Sequence, residues 1–287
     1  MRALFTTLSL LPIQAYKAFA YLIFLSGIYK LTDAYKITKA NLEIILPNAS
    51  KEELIIFAKK SYLESLLSTR ETFIAWSRSS SFINSNILVI KNNFLLSTNV
   101  DKQKGFMVVA IHSRSVDMLL SWINSQTITT SLYKKIKFKL LDKYVRSIRE
   151  NKKNETYETG ILGVKKLLNA LNNNKVICVA ADQVPQRGMG EYVDFYNRKS
   201  YTTTLIPKLA YKTKKSAIFC SINKAHQSQY LAINIHPSSD SLYDNSKHLL
   251  SLNKSIERLI EENIFDYAWE YKRFRRPFKG DSNPYIF

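Results

Sequence analysis

The sequence predicts a single-domain α/β protein, a mixed β-sheet flanked by helices, with an N-terminal apolar helical segment that associates with a membrane. Three observations carry this. Two short, continuous apolar runs, residues 106–111 and 176–181, suit strands covered on both faces. Helical spacing adjoins each run: Val116, Leu119, Leu120 and Ile123 follow the first, and Ile161, Val164, Leu167, Leu168 and Leu171 precede the second. No Gly-, Ser- or Pro-rich linker divides the 287 residues, so the boundaries fall at 1–35 for the N-terminal segment and 36–287 for one domain.

In chain order, residues 3–29 are apolar apart from Gln14 and Lys17 and are broken by Pro12. Spanning a bilayer takes roughly 20 apolar residues, and a lysine near the centre costs about 2.5–3.5 kcal/mol on insertion scales, so each half is too short alone. A tilted span, a helix lying among headgroups and a buried helix all fit; Phe on both halves, with Tyr and Lys on the second, favours membrane attachment. The Ala-Phe-Ala at 18–20 mimics a signal-peptidase site, but Lys17 before it and the apolar run after it argue against cleavage. Ser50 with Glu52 and Glu53 opens a helix running through Leu54, Phe57, Tyr62 and Leu67 toward Trp76. Strands are expected over 87–90, 106–111 and 127–133, with a helix beginning near Asp117 between the last two. Lys134, Lys135, Lys137 and Lys139 then form a basic run, and the helix behind it carries Lys143, Arg146 and Arg149. Lys152 and Lys153 read as solvated. A helix over 160–173, the strand at 176–181, a loop at 187–190, a helix over 202–214, strands over 217–222 and 230–236, and a helix over 247–263 complete the pattern.

Chemistry is expected where the strand ending at His112 meets the helix beginning near Asp117, because loops beyond the C-terminal edge of an α/β sheet are where ligands usually bind. Ser113 or Ser115 can cap that helix. Residues five apart on one regular helix sit about 140° from each other, so His112 and Asp117 meet only if His112 precedes the helix. The Asp117 carboxylate then folds back onto one imidazole nitrogen, leaving the other as an acceptor, which makes a general base for a hydroxyl group. A histidine capping a strand beside an aspartate at a helix N-terminus is the other reading of these six residues. Asp182 and Gln183 repeat the arrangement at the end of the strand at 176–181, so the two edges can face one cavity.

His-Ser-Arg-Ser-Val-Asp at 112–117 matches the His-x4-Asp signature of glycerophospholipid-type acyltransferases, and its surroundings resemble the lipid A late (lauroyl/myristoyl) acyltransferases. Further segments resemble that family in the right order. They are the Asn-Leu…Pro segment from Asn41 to Pro47, the Glu71-containing helix ending at Trp76, Asp142 followed by Arg149, Asp182-Gln183, Phe195-Tyr196 with Thr202 and Thr203, and the closing Trp269-x3-Arg273-Phe274. The resemblance implies acyl transfer from a thioester to a lipid hydroxyl, with His112 as base and Asp117 as its partner. It places Arg149, and with it Arg114, on an oxyanion or substrate phosphate, and Glu71, Asp182 and Gln183 around the site. It also implies an acyl carrier protein or acyl-CoA as donor, a lipid A precursor as acceptor, and a location on the cytoplasmic face of the inner membrane. Asn197, Lys134 and Tyr271 stand where the family commonly has glycine, arginine and histidine. These departures bear on the acceptor, and a lysophospholipid, aminolipid or glycolipid is the alternative.

A formal charge of +19 calls for an anionic partner such as a membrane surface, a phosphorylated lipid or an acidic carrier. The interleaved aromatic and basic residues at 269–279 suit headgroup contact or RNA stacking. A non-enzymatic basic membrane- or RNA-binding protein is therefore the reading from another class, but no RNA-binding module signature supports it, and no nucleic-acid partner is expected. Cys178 and Cys220 lie within apolar strands and read as core residues. His226, His236 and His248 lack metal-ligand spacing, the 187–190 loop is too poor in glycine for a nucleotide phosphate, and neither metal nor cofactor is expected.

Overall fold

Pro12 divides the N-terminal segment into two helices, α1 (Arg2–Leu10) and α2 (Ile13–Ser26), that meet at a bend of 89°. Proline fixes φ and lacks an N–H, so it starts a helix and cannot continue one. In the computed structural model, which describes residues 1–150, 153–226 and 228–287, no single helix is long and apolar enough to cross a membrane; the bent pair is so only jointly, by length and composition. The solvated reading of Lys152 lies outside the described residues. Phe5 buries α1 against Phe73, Trp76 and Tyr144 at ring-centroid distances of 5.6, 5.2 and 5.5 Å, while Leu4, Phe19, Leu22 and Leu25 stay exposed.

Thr32 caps α3 (Asp33–Ile45), and a capping box between Ser50 and Glu53 opens α4 (Lys51–Ser77). The remaining elements are α5 (Ser80–Ser85), β1 (Ile87–Lys91), α6 (Asn93–Asp101), β2 (Met107–Ala110), α7 (Val116–Gln126), β3 (Thr129–Tyr133), α8 (Lys139–Arg149), β4 (Glu155–Glu158), α9 (Ile161–Asn172), β5 (Val176–Ala180), β6 (Gly190–Phe195), β7 (Arg198–Thr203), α10 (Leu205–Thr213), β8 (Ala217–Lys224), β9 (Leu231–Pro237) and α11 (His248–Glu261). The main sheet has the order β1-β9-β8-β2-β5-β3-β4. Strands β8, β2, β5, β3 and β4 are parallel, β9 runs antiparallel to β8, and β1 is parallel to β9, so the sheet is mixed. Every residue of β2 is buried, as a central strand covered on both faces requires. On one face Met107, Val109 and Ile177 join a cluster with Leu42, Leu167, Ile256 and Trp269; on the other, Val108, Ala110 and Cys178 pack with Ile74, Met118 and Trp122.

Three features depart from the sequence expectation. The helices α3, α5 and α6, the short edge strand β4 and the two-stranded antiparallel sheet β6–β7 have no counterpart in it. Thr202 and Thr203 close β7 and do not open a helix, because Thr202 pairs with Glu191 and Thr203 with Gly190 across the hairpin. A side chain at Gly190 would meet the Thr202 carbonyl at 2.6 Å, so glycine is what lets these strands close. Finally, the Trp269, Arg273 and Phe274 side chains are buried and make no headgroup contact. Arg273 is tolerated there because it donates to the Tyr201 carbonyl (3.2 Å) and to Thr202 Oγ1 (3.0 Å) and lies 4.6 Å from the Phe195 ring centroid. Asn41 supports the same segment, donating to the carbonyls of Trp269 (2.6 Å) and Tyr271 (2.9 Å).

Candidate active site

The site follows from strand register. In the parallel pair β2–β5, Ala110 lies opposite Ala180, so His112 and Asp182, each two residues further on, leave the sheet side by side. The buried Asp182 carboxylate takes both: Oδ2 accepts the His112 backbone N–H at 2.9 Å, and Oδ1 lies 2.8 Å from imidazole Nδ1. An ionised carboxylate only accepts, so Nδ1 carries the proton and Nε2 presents its lone pair. Gln183, 3.2 Å from Nε2, then donates its amide to that lone pair. Burial by itself pushes the imidazole pKa down, but the Asp182 charge and hydrogen bond prevail and the net displacement is upward. Asp182 moves the other way: burial opposes its ionisation, and His112 and its backbone amide bring it below the usual carboxylate value. The buried Tyr267 hydroxyl is pushed far above its ordinary value by burial and by Asp182.

The expectation that Asp117 accepts the imidazole hydrogen bond is therefore corrected. Ser115 caps α7, its hydroxyl accepting from the Met118 N–H and from Thr72, and this places Asp117 in the first turn. There Asp117 is taken by two other donors. Trp76 Nε1 donates to Oδ2 at 2.9 Å, and Arg149 reaches Oδ1 from Nε at 2.8 Å and from Nη2 at 2.7 Å. The Asp117 charge still acts on His112, adding to the rise in its pKa. Arg149 thus stands in the site, clamped by Asp117.

Arg114 goes elsewhere. Its backbone has φ +48°, in the left-handed region, and its N–H donates to the Asp266 carbonyl at 2.7 Å. That turn sends the guanidinium back to Glu71, Glu64 and Asp266, which receive it at 2.8 Å or closer, and leaves the side chain 5% exposed. With four of its five N–H groups committed to three carboxylates and its side chain buried, Arg114 is held away from the His112 cavity. Arg114 and Glu71 line a separate cavity of about 1050 Å³ that shares no lining residue with the one at His112.

The His112 cavity has a volume of about 700 Å³. Ala110, Val116, Leu120, Leu132, Val179 and Ala180 give it apolar walls, and Lys134, Lys135, Arg149, Arg275 and Arg276 bring cations to it. His112, Asp117, Arg149 and Gln183 line it, with Asp182 behind the imidazole; these are brought together, and Arg114 and Glu71 are not. Sequence reasoning missed Trp76, Arg275 and Arg276 as site residues. Among the described residues Arg276 Nη1 is buried without a hydrogen-bond partner, and Tyr271 accepts the Val184 N–H at 2.9 Å. Cys178 also reaches the wall, but burial pushes its thiol up to about 12, so it is no thiolate at neutral pH. Among the described residues no group of His, Cys, Asp or Glu has the arrangement of a metal site. A base whose lone pair is held only by the Gln183 amide, a clamped cation and an apolar enclosure suit deprotonation of a hydroxyl beside a long apolar group.

A sequence model of the family described as bacterial lipid A biosynthesis acyltransferase matches residues 2–276, nearly the whole chain. No curated protein matches the chain.

Proposed function

Because the chain belongs to the bacterial lipid A biosynthesis acyltransferase family, we propose that it moves a fatty acyl group from an acyl-carrier thioester to a hydroxyl of a lipid A precursor, with His112 as general base. The observation that carries the reading is the 2.8 Å contact of His112 Nδ1 with Asp182 at a cavity with apolar walls and a cationic rim. The acceptor hydroxyl displaces the Gln183 amide and gives its proton to Nε2 while its oxygen attacks the thioester carbonyl. Asp182 holds the tautomer and compensates the imidazolium. As the carbon–oxygen bond forms, the carbonyl π electrons move onto oxygen; they return as the carbon–sulfur bond breaks, and the thiolate leaves with the proton from His112. Arg149, fixed by Asp117, supplies positive charge for the oxyanion or for an acceptor phosphate. Apolar walls suit the acyl chain, and Lys134, Lys135, Arg275 and Arg276 suit phosphates.

An acidic carrier protein is the expected donor, since a chain of formal charge +19 attracts it and coenzyme A carries less acidic surface. The enzyme works at the cytoplasmic face of the inner membrane, held there by α1 and α2 without cleavage, in keeping with their exposed apolar side chains. Two measurements test this. Purified protein should turn over acyl-carrier thioesters faster than the same chain on coenzyme A, with the advantage shrinking as salt screens charges over roughly 8–10 Å at 0.10–0.15 M. Cells lacking the protein should accumulate lipid A short of one acyl chain by mass spectrometry. An unchanged lipid A profile, with another lipid losing an acyl group, would move the acceptor to that lipid.

A further inference from the structure

Four of the most exposed apolar side chains stand beside the catalytic cavity. Helix α8 starts next to Phe138 and Leu140, 62% and 66% exposed, and α9 starts with Ile161 and Leu162, 73% and 77% exposed. Both segments leave the C-terminal ends of the neighbouring parallel strands β3 and β4. There the Thr159 N–H donates to the Tyr133 carbonyl at 2.9 Å and Lys135 lies 3.6 Å from Glu158. The same connections border the cavity, through Lys134, Lys135, Glu158 and Thr159. The four side chains thus form an apolar lip at its mouth.

The lip continues into the N-terminal helices. Leu140 sits one turn before Tyr144 on the same face of α8, and Tyr144 packs on Phe5 of α1 at 5.5 Å, beside the exposed Leu4. Five lysines are interleaved with it, Lys134, Lys135, Lys137, Lys139 and Lys143, against two acids: Asp142, which is buried and accepts the Ile136 N–H, and Glu158, which lies 3.6 Å from Lys135. Clustered exposed apolar residues mark interaction surfaces, and aliphatic residues ringed by lysine match a bilayer interface whose headgroups are anionic.

We propose that residues 138–140 and 161–162 are a second membrane-insertion site, which together with α1 and α2 seats the cavity mouth on a surface of anionic phospholipid. This rests on the functional reading only in what it adds: a lipid acceptor then passes from bilayer to His112 without crossing water. Insertion itself is independent of which lipid is acylated.

The test uses the purified full chain in co-sedimentation with phosphatidylcholine vesicles, with or without phosphatidylglycerol. The double variant Ile161→Ser/Leu162→Ser should weaken partitioning onto the mixed vesicles by about tenfold or more, the scale of one large aliphatic side chain withdrawn from lipid. Phe138→Ser/Leu140→Ser should do the same. Lys137→Glu/Lys139→Glu should cost about tenfold on phosphatidylglycerol vesicles and little on phosphatidylcholine alone. Leu88→Ser, at an exposed position on β1 at the opposite sheet edge, is the control. Wild-type partitioning of the Ile161/Leu162 variant, or an equal loss in the Leu88 variant, overturns the proposal. Thioester turnover by the lip variants should fall with vesicle-borne acceptor and match wild type with detergent-dispersed acceptor; an equal fall in both would assign these residues to the cavity and overturn it too. If no acceptor is acylated at all, the functional reading fails while the vesicle result still decides this one.

Discussion

Replacing Asp182 by Asn separates the structural account from the one read off the six-residue motif. The substitution is nearly isosteric and keeps an oxygen for the His112 backbone N–H, which Oδ2 now accepts at 2.9 Å, so the strand end should stay in place. The charge and the acceptor for Nδ1 are lost. An amide can donate as well as accept, so it permits the wrong imidazole tautomer. A positioned general base contributes about 10²–10⁴ in rate, or about 2.7–5.5 kcal/mol at 1.36 kcal/mol per decade, and a base held in the wrong tautomer loses most of that. We expect kcat/KM to fall about 10³-fold while the protein stays folded, with a small drop in thermal midpoint from the lost ion pair. The pH profile gives a second reading. Activity needs neutral His112, so kcat/KM falls as pH drops through the pKa of the free enzyme. Asp182 raises that pKa against the downward push of burial, so without it the acidic limb should move to lower pH. Asp117→Asn should move the limb less, because Asp117 acts on the ring from beyond direct contact, while still lowering the plateau by loosening Arg149. A limb unmoved by Asp182→Asn and displaced by Asp117→Asn would show that Asp117 is the working partner of the imidazole and refute the geometry.

Arg149→Ala should reduce turnover about 10²-fold, whereas Lys153→Ala, exposed and outside the cavity, should change it by less than twofold in the same thioester assay. Arg114→Ala should lower stability by about 3–5 kcal/mol in urea denaturation, since it leaves buried Glu71 and Asp266 without their cation and Glu64 with Lys224 alone. Trp76→Phe keeps the aromatic packing on Phe5 but removes the indole N–H from Asp117, and should cost about 3–10-fold in kcat with KM little changed. The His112–Asp182 pair also shapes stability against pH. The raised His112 contributes fully below its unfolded value and loses its contribution as pH rises through the folded one. The lowered Asp182 contributes above its unfolded value and loses it as pH falls through the folded one. The thermal midpoint of Asp182→Asn should therefore vary less with pH than that of wild type on both sides.

The strand that stops at His112 and the helix that starts near Asp117 were legible because their periods differ, and the same holds for the 176–181 run. The identity of the carboxylate on His112 was not, since it depends on β2 and β5 pairing in parallel with Ala110 opposite Ala180, a register that no local pattern encodes. The sequence did show a polar pair at each strand end, and that was the available signal. The resemblance puts Arg114 on a substrate group, but the left-handed backbone at that residue turns its side chain to α4. By composition the C-terminal aromatic-basic run suits a surface contact, yet Trp269, Arg273 and Phe274 within it are buried. Composition does not report that the Tyr201 carbonyl and Thr202 hydroxyl wait to receive Arg273 inside. Hairpin β6–β7 was hidden by a polar and aromatic alternation that resembles a loop.

The segment from 112 to 117 sends its three functional side chains to three different neighbours, and this explains why it is spaced as it is. His112, the last residue in line with β2, meets Asp182 from the adjacent strand. Arg114 turns back to tie the end of β2 to α4 and to Asp266 near the C-terminus. Asp117, in the first turn of α7, binds Trp76 of α4 and Arg149 of α8. A shorter spacing would leave no room for the left-handed turn at Arg114, and with it α4 would lose its hold on the loop that carries the base. A longer one would lift Asp117 out of the first turn and away from Arg149. Ser113 locks the middle of the segment, donating to the Ile222 carbonyl at 2.8 Å and accepting from Asn223 at 3.1 Å. Positions 113 and 115 are thus as constrained as the charged ones, by backbone and cap and not by substrate. Ser113→Ala should loosen the base by leaving the Asn223 amide without its acceptor, a buried donor worth about 1–3 kcal/mol. It should therefore lower stability and kcat together and leave the acidic limb of the pH profile in place, whereas Asp182→Asn moves that limb.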